Sequence, residues 1–201
     1  MSTDPVPFKF CPVCAASLVQ RADEDAGKLR LACPHGHWTH WDNPLPVLAA
    51  IVELDGRILL ARNAAWSEGK FALITGFMER DETPEQGIAR ELKEETDLDA
   101  GEITLIGVYE FMRKNELIIA YHVKASGTVR LSPELLEYRL VEPADLLPWR
   151  AGTGYALADW MHLRGLTVRF VDALVDRFRR MLSLHNSGAF YLLISAMAWC
   201  I

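Results

Sequence analysis

The sequence predicts a domain of the α/β (α+β) class with a small cysteine-rich β module in front of it. Two pairs of apolar, β-type runs, each folded about a tight-turn signal, predict a sheet. A capped amphipathic segment between them predicts a helix. Cys11, Cys14 and Cys33 crowd into the first part of the chain, and such spacing in a protein without a secretory leader favours metal over disulfide.

The elements follow in order. Phe10 to His40 is rich in cysteine and histidine and poor in large aliphatics, which suits a module held by a metal more than by a core. Asn43-Pro44-Leu45-Pro46 then breaks the chain. Val47 to Arg62 holds two Val-, Ile- and Leu-rich runs separated by Asp55-Gly56, a dipeptide that accepts the positive φ of a two-residue hairpin turn. A short strand is expected over Phe71 to Thr75. Thr83-Pro84-Glu85-Gln86 supplies a helix start: threonine caps, proline fits the first helical position and glutamine closes a capping box. That helix should run to about Thr96, with Ile88 and Leu92 on its buried face.

Beyond it, Ile103 to Phe111 and Leu117 to Lys124 read as a strand pair around Lys114-Asn115, and Leu136 to Val141 as a further strand. Val168, Val171, Leu174, Val175, Phe178 and Leu182 recur at helical spacing, so a helix is expected over Val168 to Leu184. Ala189 to Ile201 is almost continuously apolar yet too short to span a bilayer; a buried strand, a buried helix and a dimer contact all fit it. The boundaries expected are a module over 1–42, a main domain over 43–185 and a tail over 186–201.

At 201 residues the chain has room for one substantial core and one small extra module. A net charge of −6 excludes general electrostatic attraction to nucleic acid or to anionic lipid. The segment Met1 to Lys9 has no apolar signal core, and no run reaches membrane-spanning length. A cytoplasmic location is therefore expected, with no membrane and no nucleic acid among the partners.

The helix beginning at Thr83 carries the chemistry. Glu91, Glu94 and Glu95 stand at i, i+3 and i+4, so three carboxylates project from one side. A bare triplet of this kind is ordinarily only a solvated acidic face. Here Gly76 precedes the loop and allows close backbone approach, Glu82 sits just ahead of the cap, and Arg90 adjoins the cluster where it can orient a carboxylate. Like charges so close call for a cation, and hard oxygen ligands select Mg²⁺ or Mn²⁺ over zinc. Such an ion binds diphosphate oxygens and activates water, which makes hydrolysis of a diphosphate the chemistry this pattern fits.

From Gly76 to Leu98 the sequence resembles the box of the Nudix hydrolase family. That box is a glycine, five residues, a glutamate, seven residues, then Arg-Glu, an aliphatic, any residue, Glu-Glu, any residue, a glycine and an aliphatic. Every defining position is matched except the final glycine, where Asp97 stands; aspartate tolerates the left-handed conformation that ends a helix better than most residues. The resemblance implies a Nudix-type α/β/α sandwich with a mixed sheet. It implies that Glu91, Glu94 and Glu95 bind Mg²⁺ or Mn²⁺, that Gly76 offers its carbonyl and Glu82 assists, and that Glu91 or Glu94 activates water. It also implies a homodimer acting on a small-molecule nucleotide.

Cys11-Pro12-Val13-Cys14 and Cys33-Pro34 resemble the two knuckles of the zinc ribbon that precedes the Nudix domain in the NADH pyrophosphatase-like group. His40-Trp41-Asp42-Asn43-Pro44 resembles that group's linker. The expected fourth cysteine is replaced by Gly36, so a structural Zn²⁺ would be held by Cys11, Cys14, Cys33 and His37, with His35 and His40 as alternatives; the other reading is a decayed ribbon that folds without metal. The Ser-Gln-Pro-Trp-Pro-Phe-Pro signature of that group has no counterpart in Tyr109 to Asn115, which leaves ADP-ribose, FAD, NAD(H) and other dinucleotides open.

Tyr109, Phe111, Trp149 and Trp160 are candidates for stacking on a base, Arg62 and Arg113 for a phosphate clamp, and Glu134 and Glu137 for an extra carboxylate. Two functions of different class stay open: a diphosphate hydrolase, or a catalytically silent Nudix-like nucleotide sensor or protein- or RNA-binding module. The complete set Glu82, Arg90, Glu91, Glu94 and Glu95 favours the hydrolase.

Overall fold

The computed structural model describes residues 8–22, 27–66 and 68–171. It divides the chain into two compact units, Met1–Pro44 and Leu45–Ile201.

In the first unit, β1 (Val19–Ala22), β2 (Leu29–Ala32) and β3 (Thr39–His40) form an antiparallel sheet in that order. Its buried residues, among those described, are Cys11, Ala32 and Cys33, far too little apolar area to hold a module by itself. The two knuckles lie side by side. Ala15 takes a positive φ of 57° and donates its N–H to the Cys11 carbonyl at 2.9 Å, closing the first turn. Gly36, at φ 77°, donates to the Cys33 carbonyl at 3.0 Å and closes the second. The position that lacks the fourth cysteine is thus a left-handed turn suited to glycine, with His37 immediately after it.

The second unit is built on β4 (Leu45–Leu54), whose interior is buried on both faces. It pairs in parallel with β8 (Glu116–Ser126) and antiparallel with β5 (Arg57–Asn63) and β6 (Ile74–Phe77). β7 (Asp99–Phe111) and β9 (Leu135–Val141) complete a mixed six-stranded sheet, ordered β7-β8-β4-β5-β9 with β6 alongside β4. Both hairpin signals fold as their residues require: Asp55 and Gly56 have φ of 50° and 77°, and Asn115 has φ of 53°, conformations these residues adopt at little cost.

Period-two alternation along β4 supplies both layers. Leu48, Ala50, Val52 and Leu54 pack with Ile88 and Leu92 of α1 (Pro84–Thr96). Val47 and Ala49 meet Ala156, and Ile51 meets Leu157 and Met161, of α2 (Thr153–Leu163) on the other face. Ile88 and Leu92 are fully buried, each contributing roughly 1.5–3 kcal/mol. The result is the expected α/β/α sandwich with a mixed sheet.

Three elements differ from expectation. The strand after β5 starts at Ile74 rather than Phe71, because Gly76 and Phe77 pair with Leu48 and Val47, so the motif glycine is part of the sheet. The helix α2 is an addition: its Ala156, Leu157, Ala158, Trp160 and Met161 are all buried, and a helix apolar on most sides shows no clear stripe. Val168–Val171, expected to begin a helix, is irregular. Val168 packs against the α2-side core, and Val171 donates its N–H to the Pro148 carbonyl at 2.7 Å. The rest of that expected helix and the apolar segment Ala189 to Ile201 lie outside the described residues.

Candidate active site

The start of α1 forms as its sequence dictates. Thr83 Oγ1 accepts from the Gln86 N–H at 3.3 Å while Gln86 Oε1 accepts from the Thr83 N–H at 2.8 Å, the reciprocal capping box. At the other end Asp97 takes the left-handed conformation, φ 60° and ψ 10°, and its carboxylate pairs with Lys93 Nζ at 2.9 Å. The departure from glycine at this position therefore leaves the turn intact.

Between these ends one guanidinium gathers the carboxylates. Arg90 donates Nε to Glu82 Oε2 and Nη2 to Glu82 Oε1, both at 3.0 Å. Its Nη1 reaches Glu91 Oε1 at 2.8 Å and Glu94 Oε2 at 3.0 Å, and its Nη2 reaches the Phe77 carbonyl at 3.2 Å. Glu82 also accepts the Glu79 N–H at 2.7 Å. Two-pronged pairing of this kind fixes orientation as well as distance.

Two glycines make room for the arrangement. A Cβ on Gly76 would stand 1.8 Å from Glu91 Cδ, and one on Gly87 would stand 2.5 Å from both Glu82 Oε1 and Leu48 Cδ1. Gly87 was not among the residues singled out from the sequence. Its signal was available, since glycine inside a helix is costly unless something approaches closely.

Two of the last carbonyls of α1 are satisfied by the loop between β8 and β9: the Arg130 N–H donates to the Thr96 carbonyl at 2.8 Å and the Ser132 N–H to the Glu95 carbonyl at 2.9 Å. This loop carries Glu134, whose charge is felt at Glu95.

Electrostatics follow from this placement. Burial pushes Glu95 up to about 7, with Glu91, Glu134 and Glu94 adding like charge. Burial also raises Glu91, against the opposing pull of Arg90. Glu82 is held below the usual carboxylate range, chiefly by its hydrogen bonds from Arg90. One guanidinium thus serves three carboxylates, Glu82, Glu91 and Glu94, while Glu95 lies outside its hydrogen bonds and is raised by burial and like charge with no cation to oppose them.

In the first unit the sulfurs of Cys11, Cys14 and Cys33 and a ring nitrogen of His37 all lie within 4.8 Å of one another. Cys14 Sγ is 3.6 Å from Cys33 Sγ, and His37 Nδ1 is 3.9 Å from Cys33 Sγ. Burial works against the Cys33 thiolate, but the backbone N–H groups of His37 and His35 outweigh it and bring its pKa down to about 7. His40 is turned away into a ring cluster with Phe8 and Trp38.

The sequence matches the NUDIX domain family over residues 42–160, more than half the chain and all of the glutamate helix. The chain belongs to the Nudix hydrolase family. The crystal structure of a NUDIX hydrolase from Nitrosomonas europaea is similar to it with a TM-score of 0.68 and 29% identity, covering 82% of this chain and 99% of that one. The NAD-capped RNA hydrolase NudC of Vibrio atlanticus (strain LGP32) is 30% identical over 124 residues, 61% of this chain and 45% of that protein. A MutT-like protein of Streptomyces ambofaciens is 39% identical over 83 residues, 41% of this chain and 53% of that protein. The chain spans about half the length of the curated relatives it matches.

The other candidates are not gathered at this Nudix site. Tyr109 donates its hydroxyl to Asp159 of α2 at 2.8 Å, and burial pushes its own pKa upward. Trp160 is buried and Trp149 half-buried in the α2-side core. Phe111 packs on that same side beneath Arg113, 5.3 Å from its ring centre. Arg62 pairs with Glu137 at 3.4 Å.

Proposed function

We propose that this chain hydrolyses the diphosphate linkage of a nucleoside diphosphate-linked substrate of the ADP-ribose, FAD or NAD(H) kind, releasing a nucleoside monophosphate. The observation that carries the reading is the convergence of Glu82, Glu91 and Glu94 on a single arginine, with Glu95 beside them and close enough to feel the charge of Glu91 and Glu94. That excess of hard oxygen donors, with a carboxylate seated where a Cβ on Gly76 would fall, fits Mg²⁺ or Mn²⁺. Glu91, Glu94 and Glu95 would hold the ion, with Gly76 offering its carbonyl. When bound, such an ion neutralises the diphosphate oxygens and lowers the pKa of water.

The chain's own residues prepare that chemistry. Arg90 holds Glu91 and Glu94 on one side of α1, so that they need not be collected from solvent when the substrate arrives. Glu82 is the partner that keeps Arg90 in place, a positioning role consistent with its lowered proton affinity. In the ribbon, three thiol sulfurs and an imidazole within 4.8 Å fit tetrahedral Zn²⁺, whose sulfur ligands stand about 3.8 Å apart. That zinc would hold a module whose buried residues, among those described, are two cysteines and an alanine.

Incubation with Mg²⁺ and a panel of ADP-ribose, NADH, FAD and NAD-capped RNA is expected to yield a nucleoside monophosphate. Glu94→Gln should suppress turnover at least ~100-fold. Undiminished turnover in that variant would refute the assignment, and tight nucleotide binding without turnover in the wild type would move the reading to a silent sensor. The panel also separates a small dinucleotide from an RNA-linked one.

A further inference from the structure

The ribbon sets an exposed thiol against a buried one on the opposite knuckle. Cys11 and Cys33 are buried while Cys14 is exposed, and Cys14 Sγ lies 3.6 Å from Cys33 Sγ on the other knuckle. Each buried sulfur accepts a backbone N–H, Cys11 from Val13 and Cys33 from His35, both at 3.4 Å. One sulfur is therefore open to a small solute, and a second stands behind it across the module.

We propose that Cys14 and Cys33 form a peroxide-sensitive pair whose oxidation expels the zinc while keeping the two knuckles joined. The chemistry runs in two steps. Once deprotonated, the exposed Cys14 sulfur attacks hydrogen peroxide, whose O–O bond breaks with hydroxide leaving, and Cys14 becomes a sulfenic acid. The Cys33 sulfur then attacks the Cys14 sulfur. The S–S bond forms, the S–O bond breaks, and the oxygen departs as water after taking up a proton. Two thiols and one peroxide give one disulfide and two waters; both sulfurs are oxidised and the peroxide is reduced.

All three sulfurs lie within 4.8 Å of one another; the 3.6 Å approach of Cys14 to Cys33 and the consequence for the module single out this pair. A Cys11–Cys14 bond would leave the two knuckles unlinked once the metal had gone. A Cys14–Cys33 bond ties them at the place where zinc had tied them, and leaves Cys11 and His37 as two ligands, too few for a tetrahedral site. Oxidation should therefore release zinc from a module that stays folded, and reduction should make it competent again. The release readout rests on the zinc reading above; the pairing of the thiols rests on the sulfur positions alone.

The test uses the full chain carrying Cys200→Ser, with its zinc content measured first. Titration with hydrogen peroxide should release zinc to a chromophoric chelator in step with the loss of two thiols. Peptide mapping should find the Cys14–Cys33 bond, and a thiol reductant with added zinc should restore the starting state. Tryptophan emission from Trp38 and Trp41 should stay native-like throughout. A Cys11–Cys14 bond, sulfinic acid at Cys14 without a disulfide, or unfolding in step with zinc loss would each overturn the proposal. A chain that holds no zinc at the outset would refute the metal reading, and mapping of its oxidised thiols would still decide the pairing.

Discussion

The two faces of the sheet each set a half-buried carboxylate beside an arginine, and they balance charge in opposite ways. On the α2 side Glu53 Oε2 accepts from Arg164 Nη2 at 2.8 Å and lies 2.8 Å from His122 Nε2, so one acid has two basic partners. On the α1 side a single guanidinium serves Glu82, Glu91 and Glu94, with Glu95 close by. A face of the first kind is complete in the folded chain. A face of the second kind is stable only in part and gains from a cation, which is why it, and not the other, reads as the site of chemistry.

The sharpest way to break this contrast is to displace one acid without changing charge. In Gly76→Ala the new methyl would meet the Glu91 carboxylate at 1.8 Å, so Glu91 must leave its seat against β6. We expect kcat/KM to fall ~100-fold, about 2.7 kcal/mol of lost transition-state stabilisation, with the far-UV spectrum unchanged. Steady-state kinetics on the preferred substrate measure this. Wild-type turnover in the variant would mean that the close approach of Glu91 to the strand has no part in the reaction.

The complementary change unbalances the other face. Glu53→Gln keeps the shape and removes the charge that His122 and Arg164 share. Because the Arg164 side chain is 45% exposed, the pair is discounted for solvent screening and the expected loss of stability is about 1 kcal/mol. Urea unfolding should show it as a lower midpoint at constant slope, while kcat stays within about twofold. Activity falling without any loss of stability would show that the α2 face takes part in function after all.

How far the sequence foretold this molecule depends on which residues spoke locally. The capping box at Thr83, the hairpin at Asp55-Gly56 and the carboxylates at i, i+3 and i+4 are short-range patterns, and each folds as its pattern requires. The metal-type cluster of the ribbon was legible too, because Gly36 and His37 sit within one turn. What escaped was long-range. Glu53, His122 and Arg164 are far apart in the chain and meet only across β4, β8 and the end of α2. Helix α2 lacked both a side-chain cap and a clean polar stripe, so neither signal for a helix was present. The aromatic candidates failed for the same reason: Tyr109 and Phe111 alternate onto the α2 face of β7, and strand parity depends on a bulge between Leu105 and Gly107 that no local pattern revealed.

The smallest effect tests the electrostatic half of the contrast. Glu95 has its pKa raised to about 7 in the folded chain from an ordinary 4.5, first by burial and then by Glu91, Glu134 and Glu94. Between those values the native state binds more protons than the unfolded state. Linkage then requires stability to fall as pH rises through that window. Glu91, raised in the same direction, adds to the slope, whereas Glu82 acts oppositely at lower pH, below the usual carboxylate value. In the metal-free protein, the Glu95 and Glu91 contribution to the urea midpoint should therefore decline from about pH 5 to about pH 8, opposed in the lower part of that window by His122, whose proton affinity burial lowers. Glu95→Gln should flatten the decline without abolishing it, and saturating Mg²⁺ should offset it by binding only the folded form. An identical slope in Glu95→Gln would mean that the crowding of acids on α1 is already relieved by solvent, and the two faces of the sheet would then differ in composition but not in electrostatic strain.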